Sequence, residues 1–166
     1  MTDEPPFSIE RAAPADAPAL HAMILALAEY ERLSHLCVGS VEDLRAALFA
    51  DPAAAEVLIG RAAGQPAGFA LFFPTFSTFL ARRGLWLEDL YVYPQYRGRG
   101  LGKALLKAVA GIAHDRQCGR FEWTVLDWNE PAIGFYVALG ATVMPDWRIA
   151  RVAGDALAQL AGNRPA

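Results

Sequence analysis

The chain has 166 residues and a mass of 18.0 kDa; 54% of its residues are hydrophobic, 20% are charged and the formal net charge is −3. That is the size of one ordinary domain with ample apolar content for a single core, and the charge excludes the broad basic surface of a nucleic-acid binder, so no nucleic-acid partner is expected. Cys37 and Cys118 are too few for a disulfide framework and form no CxxC pair, which reads as reduced thiols in a cytoplasmic protein. The opening "MTDEPPFSIERAAP" is acidic and proline-rich, unlike a signal peptide, and no apolar run approaches the length of a membrane span, so no membrane partner is expected.

In chain order, residues 1–6 read as a polar, flexible arm and Phe7 to Arg11 as a brief strand. Ala15 to Arg32 carries Leu20, Met23, Ile24, Leu27 and Tyr30 on one helical face. Ser40 and Asp43 form a capping box that opens a second helix to about Phe49. "EVLIGRA" and "PAGFALFFPTF" flank Gly64 and Gln65 as an antiparallel hairpin, and "GLWLEDLYVYP" is a third strand of the run, ended by Pro94. A helix follows from about Gly100 to His114, with Gly119 placed to stop it, and "RFEWTVLDW" reads as a strand. Asn129, an early proline and Gly140 bracket a short helix over "EPAIGFYVALG", and "WRIARV" reads as a last strand. The order is βαα, then three strands, then αβαβ: a mixed sheet flanked by helices, built as a single domain over residues 1–166.

The stretch "QYRGRGLGKALLK", residues 95–107, is the strongest functional signal. A strand that ends in a glycine turn and runs into a helix offers backbone N–H groups and the positive end of the helix dipole to a phosphate. The Walker spacing fails, because Arg97 stands where its first glycine belongs and Ala104 follows Lys103. The dinucleotide spacing fails too, because Gly98, Gly100 and Gly102 give GxGxG. RxxGxG fits as Arg97, Gly98, Arg99, Gly100, Leu101 and Gly102. Here glycines allow close backbone approach to a pyrophosphate while Arg97, Arg99 and Lys103 offset its charge.

This loop, placed after "WLEDLYV", resembles the pyrophosphate loop of the GCN5-related N-acetyltransferases (GNAT), which bind acetyl coenzyme A. "YRGRGLG", "WNEPAIGFY", "LGA" and "WR", with "LALAEYE" in the first helix, further resemble the diamine acetyltransferase branch of that family, which acetylates spermidine, spermine and thialysine. The segment between Gly140 and Trp147 is shorter than in that branch. The resemblance implies a GNAT fold: an α/β protein whose central, mostly antiparallel sheet has splayed parallel strands 4 and 5. It also implies acetyl-CoA as co-substrate, no metal, a small-molecule amine as acceptor and a homodimer.

Acetyl transfer to an amine needs a neutral nitrogen, stabilisation of an oxyanion and a proton for the departing thiolate. An alkylammonium titrates at about 10.4, so some group must accept its proton. Glu88 matches the family position that contacts substrate and relays that proton. Strand alternation points Glu88 and its neighbour Asp89 to opposite faces, and a bulge would let Asp89 serve instead. The resemblance further implies that Leu90, Tyr91 and Val92 supply backbone groups to the pantetheine arm, with Asn129 capping its helix and bonding the same arm. Tyr136 matches the family tyrosine near the thioester sulfur, where a phenol of pKa about 10 can donate a proton. Tyr30 and Glu31 match positions lining the amine site, with Glu31 suited to a distal ammonium.

Three alternatives remain on the sequence alone. The acceptor is a protein lysine or N-terminus, the chain is a non-catalytic acyl-CoA sensor, or a surface carboxylate and a core tyrosine account for Glu88 and Tyr136. His21, His35, Cys37 and His114 have no metal spacing, and no serine or cysteine sits in a nucleophile motif, consistent with direct transfer.

Overall fold

The computed structural model describes residues 7–162, so the arm predicted over residues 1–6 lies outside the described residues. The chain divides into two compact units after Thr124.

The first unit contains a five-stranded sheet in sequential order: β1 (Ser8–Arg11), β2 (Glu56–Ala62), β3 (Gln65–Ser77), β4 (Arg82–Val92) and β5 (Phe121–Trp123). The first four pair antiparallel and β4 pairs parallel with β5, which is the predicted mixed α/β sheet. Helices α1 (Ala17–Tyr30) and α2 (Val41–Leu48) precede β2, and α3 (Leu101–Asp115) joins β4 to β5. The Ser40 capping box forms as predicted: the Asp43 N–H donates to Ser40 Oγ at 3.1 Å, and the Ser40 N–H to Asp43 Oδ2 at 2.9 Å. Ala63 and Gly64 both take positive φ, the geometry of a two-residue hairpin turn between β2 and β3.

Leu20 and Met23 of α1 bury against Val57, Ile59, Phe69 and Tyr91 on one face of the sheet. Leu58, Ala70, Phe72, Leu85 and Leu87, of the opposite strand alternation, are also buried, and α3 packs on β2, β3 and β4 with its own Leu101, Leu105, Leu106 and Val109 buried. A Cβ on Gly60 would lie 2.6 Å from Leu101 Cδ1, so the glycine lets the first turn of α3 sit directly on β2. At the far end of α3, Arg116 donates two hydrogen bonds, of 2.6 and 2.7 Å, to the Glu56 carboxylate at the start of β2, and Arg11 donates a third at 2.6 Å.

The helix ends at Asp115, one residue beyond the predicted His114, but Gly119 is not the residue that stops it. Gln117 takes φ 55°, and the N–H groups of Gln117 and Cys118 close on the carbonyls of His114 and Ala113. The glycine instead returns the chain to the sheet, its N–H donating to the Arg83 carbonyl at 2.8 Å.

The second unit holds α4 (Glu130–Ala138) and α5 (Gly154–Leu160). Asn129 caps α4 as predicted, accepting from the Ala132 N–H, and Gly140 at φ 94° ends it, with Ala141 closing on the Tyr136 carbonyl. Two expectations are corrected. The strand predicted over "RFEWTVLDW" forms only at Phe121–Trp123, because β4 offers it only three partners. "WRIARV" forms no strand: residues 147–153 lack regular structure and are followed by α5, which the periodicity did not reveal. A strand needs a neighbour to hydrogen-bond, and an alternating apolar pattern alone does not supply one.

Candidate active site

The decisive local feature is a bulge in β4. Leu71 pairs with Asp89 and Phe72 with Leu87, so Glu88 is an extra residue with no partner across the ladder. Paired residues share a face, so the insertion resets the alternation. Leu87 stays on the α3 side with Phe72, while Asp89 turns to the α1 side with Leu71, as Tyr91 does with Phe69. The sequence left open which carboxylate faces the acceptor; the bulge brings Glu88 and Asp89 together. Trp86, paired with Phe73 on that same α1 side, donates its indole N–H to Glu88 Oε2 at 2.9 Å.

Burial pushes the Asp89 carboxyl up to about 6, aided by the charges of Glu88 and Glu31. Glu31 is the C-cap of α1, and burial raises its carboxyl as well. Asp89 is therefore near enough to both Glu88 and Glu31 to feel their charges. Each of the three sits against a local preference: Glu31 faces the negative end of a helix with no basic residue in its last turn, and the other two repel each other. Tyr30, the last residue of α1, is 42% exposed beside them in sequence.

Pairing of β5 with β4 covers Leu85–Leu87 and stops where the bulge begins. The β4 edge from Glu88 to Val92 thus runs on past the β5 ladder. The side chains of Tyr91 and Val92 are buried and that of Leu90 half-buried, so these residues can offer mainly backbone groups along the edge.

After a short turn at Pro94–Tyr96 the chain enters the glycine loop. Gly98 and Gly100 have φ 72° and 92°, values that side chains with a Cβ resist. Gly100 is the N-cap of α3, with no side-chain cap and no acidic residue in the first turn. The N–H groups of that turn have no carbonyl within their own helix. Leu101 is buried against Gly60 and can contribute only through its backbone, whereas Lys103 is exposed. Arg97 and Arg99 do not simply extend into solvent. Arg97 Nε donates to the Val92 carbonyl at 2.8 Å, and its guanidinium lies 5.0 Å from the Tyr30 ring centre and 5.6 Å from that of Tyr91. The guanidinium of Arg99 lies 5.3 Å from the Phe7 ring centre.

In the second unit, Tyr136 lies on α4 with its ring half-buried and 5.3 Å from that of Phe135, and the capping residue Asn129 is 7% exposed. Sequence reasoning named a bulge as the condition for Asp89 to serve, and the bulge is present; it missed Trp86. The signal for Trp86 was an indole N–H two residues from a carboxylate, within reach of it.

Two further features lie away from these residues. A depression of about 350 Å³ at the N-terminal end of β4 is lined by Arg82, Arg83, Arg116 and Gln117 and contains none of the predicted site residues. Among the described residues, no group of three His, Cys, Asp or Glu is arranged to hold a metal ion.

A family model described as "Acetyltransferase (GNAT) family" matches residues 23–141. A thialysine N-epsilon-acetyltransferase of Sus scrofa is 40% identical over 85% of this chain and 89% of its own length. An L-ornithine N5-acetyltransferase of Arabidopsis thaliana is 34% identical over 90% of this chain and 85% of its own. Among solved structures, an integron cassette protein from the mobile metagenome of V. cholerae superposes with a TM-score of 0.79 at 26% identity, covering 94% of this chain and 98% of that one.

Proposed function

The chain belongs to the acetyltransferase (GNAT) family, and from that premise we propose that it is an N-acetyltransferase that moves the acetyl group of acetyl-CoA directly to a small primary amine. The acceptor carries a second positive charge, as a polyamine, a diamine or a thialysine-like amino acid does. The observation that carries this reading is Asp89, turned to the α1 side of β4 by the bulge and close enough to Glu31 and Glu88 to feel both charges. Two part-buried carboxylates, Glu31 and Asp89, with the exposed Glu88 beside Asp89, stabilise an extended dication far better than a neutral or monovalent amine.

The glycine loop fits a pyrophosphate. It offers uncapped N–H groups, two glycines in left-handed geometry, the exposed Lys103 and no first-turn carboxylate. Acetyl-CoA, when bound, supplies the acyl group as an activated thioester. Gly98, Arg99, Gly100, Leu101, Gly102 and Lys103 would hold its phosphates, with Arg97 shaping the loop. The backbone of Leu90, Tyr91 and Val92 would align the pantetheine arm along the open β4 edge, with Asn129 as a further contact. Glu88, oriented by Trp86, accepts the ammonium proton directly or through water. Tyr30, Glu31 and Asp89 hold the acceptor, and the Tyr136 hydroxyl donates a proton to the departing sulfur.

Both units are read as one acetyltransferase domain, because the family match spans the division at Thr124. We also read the protein as a cytoplasmic homodimer. The dimer reading rests on Met144, Trp147 and Ile149 of the second unit, which are 58%, 76% and 65% exposed. The cytoplasmic reading rests on the free thiols of Cys37 and Cys118. No helix among the described residues is long and apolar enough to cross a membrane.

The test is the rate of thiol release from acetyl-CoA with spermidine, putrescine, thialysine, ornithine, lysine and a lysine peptide. Selective stimulation by one short dicationic amine is the expected result. Stimulation by the peptide alone would move the acceptor to proteins and contradict the acidic pocket.

A further inference from the structure

Arg97 and Tyr30 lie 67 residues apart and belong to different halves of the proposed reaction: one opens the coenzyme loop, the other ends the helix that carries Glu31. The structure joins them. The guanidinium lies 5.0 and 5.6 Å from the ring centres of Tyr30 and Tyr91, while Nε donates to the carbonyl of Val92, the last residue of β4. Tyr91 is itself anchored in the core, edge-on to Tyr93 at 5.5 Å and against Phe69 at 6.5 Å. Arg97 therefore contacts one ring anchored in the core and a second whose position depends on the end of α1.

Resting on the acetyl-CoA reading of the loop, we propose that Arg97 is a positioning residue that couples the acceptor side of the protein to coenzyme binding, with the Tyr30 ring as the lever. The Tyr30 ring holds the guanidinium by its π face. The guanidinium in turn fixes the Val92 carbonyl, which ends the open β4 edge, and the entry to the left-handed turn at Gly98 and Gly100. Coenzyme affinity thus depends on a side chain from the acceptor side. By reciprocity, a bound coenzyme favours the α1 end in the position seen here, so the two substrates bind with positive coupling. Only arginine meets both demands, since a lysine has neither the planar face that lies over the Tyr30 ring nor the in-plane N–H that reaches Val92.

The test is calorimetric binding of acetyl-CoA to wild type, Tyr30→Ala, Tyr30→Phe, Arg97→Ala and the Tyr30→Ala/Arg97→Ala double variant, with thermal melts of each. Tyr30→Ala is expected to raise the coenzyme Kd about three- to tenfold with little change in Tm. Tyr30→Phe keeps the ring and is expected to keep the wild-type Kd. In the Arg97→Ala background the Tyr30→Ala increment should vanish, because the lever has nothing to hold. The proposal is overturned if Tyr30→Ala leaves Kd unchanged, if its effect is the same in both backgrounds, or if Tyr30→Phe loses as much as Tyr30→Ala, which would assign the effect to the hydroxyl. Failure of the wild type to bind acetyl-CoA would instead overturn the functional reading on which the coupling rests.

Discussion

The indole N–H of Trp86 donates to Glu88 Oε2 at 2.9 Å, two residues along the same strand and across the start of its bulge. A bulged residue has no ladder partner to hold its backbone, so the indole supplies the restraint that regular pairing would have given. Trp86→Phe keeps the bulk and removes the donor. Its kcat/KM for the amine should fall about five- to fiftyfold, with coenzyme Kd within twofold of wild type. Steady-state kinetics with calorimetry would check this, and unchanged kinetics would remove Trp86 from the mechanism.

The proposed role of Asp89 sets stability and function in opposition. Its folded carboxyl is raised from 3.8 to about 6. The folded state is therefore favoured most at low pH, and that advantage is lost as pH rises through about 6, when the buried carboxylate must ionise next to Glu88 and Glu31. Asp89→Asn removes the burden and should stabilise the protein by about 1–3 kcal/mol at pH 8, with little effect at pH 4. The same change should raise the amine KM about tenfold or more. In the wild type, amine affinity should decline as pH falls below about 6. A variant that melts lower at pH 8 with an unaltered KM would contradict both statements.

Gly100 takes φ 92° as the N-cap of α3. No atom lies within 4 Å of the position its Cβ would take, so Gly100→Ala tests backbone conformation without a clash. The substitution should cost about 1–2 kcal/mol in stability and weaken acetyl-CoA binding about tenfold or more as the loop relaxes. Gly102 has no such φ and its Cβ would meet only Val92 Cγ2, at 3.7 Å, so Gly102→Ala should be the milder change. Calorimetry and thermal melts on both variants would settle the order.

Tyr136→Phe removes the proposed proton donor while preserving the ring that packs near Phe135. Turnover should drop about a hundredfold, coenzyme Kd should stay within twofold, and the alkaline limb of the rate profile should move or disappear. Equal turnover in the two proteins would leave Tyr136 a packing residue.

Glu56 receives three guanidinium hydrogen bonds. Those from Arg116, joined by that from Arg11, outweigh burial and pull its carboxyl from the usual 4.5 down to about 2. A lowered pKa gives stability that is present above about pH 4.5 and is lost as pH falls through about 2. Glu56→Gln should cost about 1–2 kcal/mol at neutral pH after allowance for the exposed partners, and should flatten the acid side of the stability profile. Melts from pH 2 to 7 would show whether the two curves converge.

Much of this was legible in local chemistry. The Ser40 and Asp43 box, the Asn129 cap and the glycine turns of the RxxGxG loop are each decided within about five residues and form as their composition dictates, and the hairpin turn expected at Gly64 and Gln65 forms one residue earlier, at Ala63 and Gly64. What was not legible depends on distant partners. A bulge leaves no mark on "LEDLY", because the extra residue is defined only by what Leu71 and Phe72 face on β3. The same holds for "WRIARV", which has strand-like alternation without a strand beside it, and for Gln117, which takes a left-handed conformation where Gly119 would have been chosen. Arg97 and Tyr30 were each singled out for a different ligand; their contact with each other needed the fold.

Helix α3 meets β2 at both ends, through Leu101 on Gly60 and through Arg116 on Glu56. It acts as a crossbeam pinned at two points to a strand that takes no part in the chemistry. A beam fixed this way cannot pivot, so the end proposed to hold an anion is set before any ligand arrives. On the proposed reading, adjustment to a substrate is left to α1 and to the turn between Tyr93 and Gly100. Acceptor preference would then drift by changes near Tyr30 and Glu31 while the proposed coenzyme seat stays where β2 holds it.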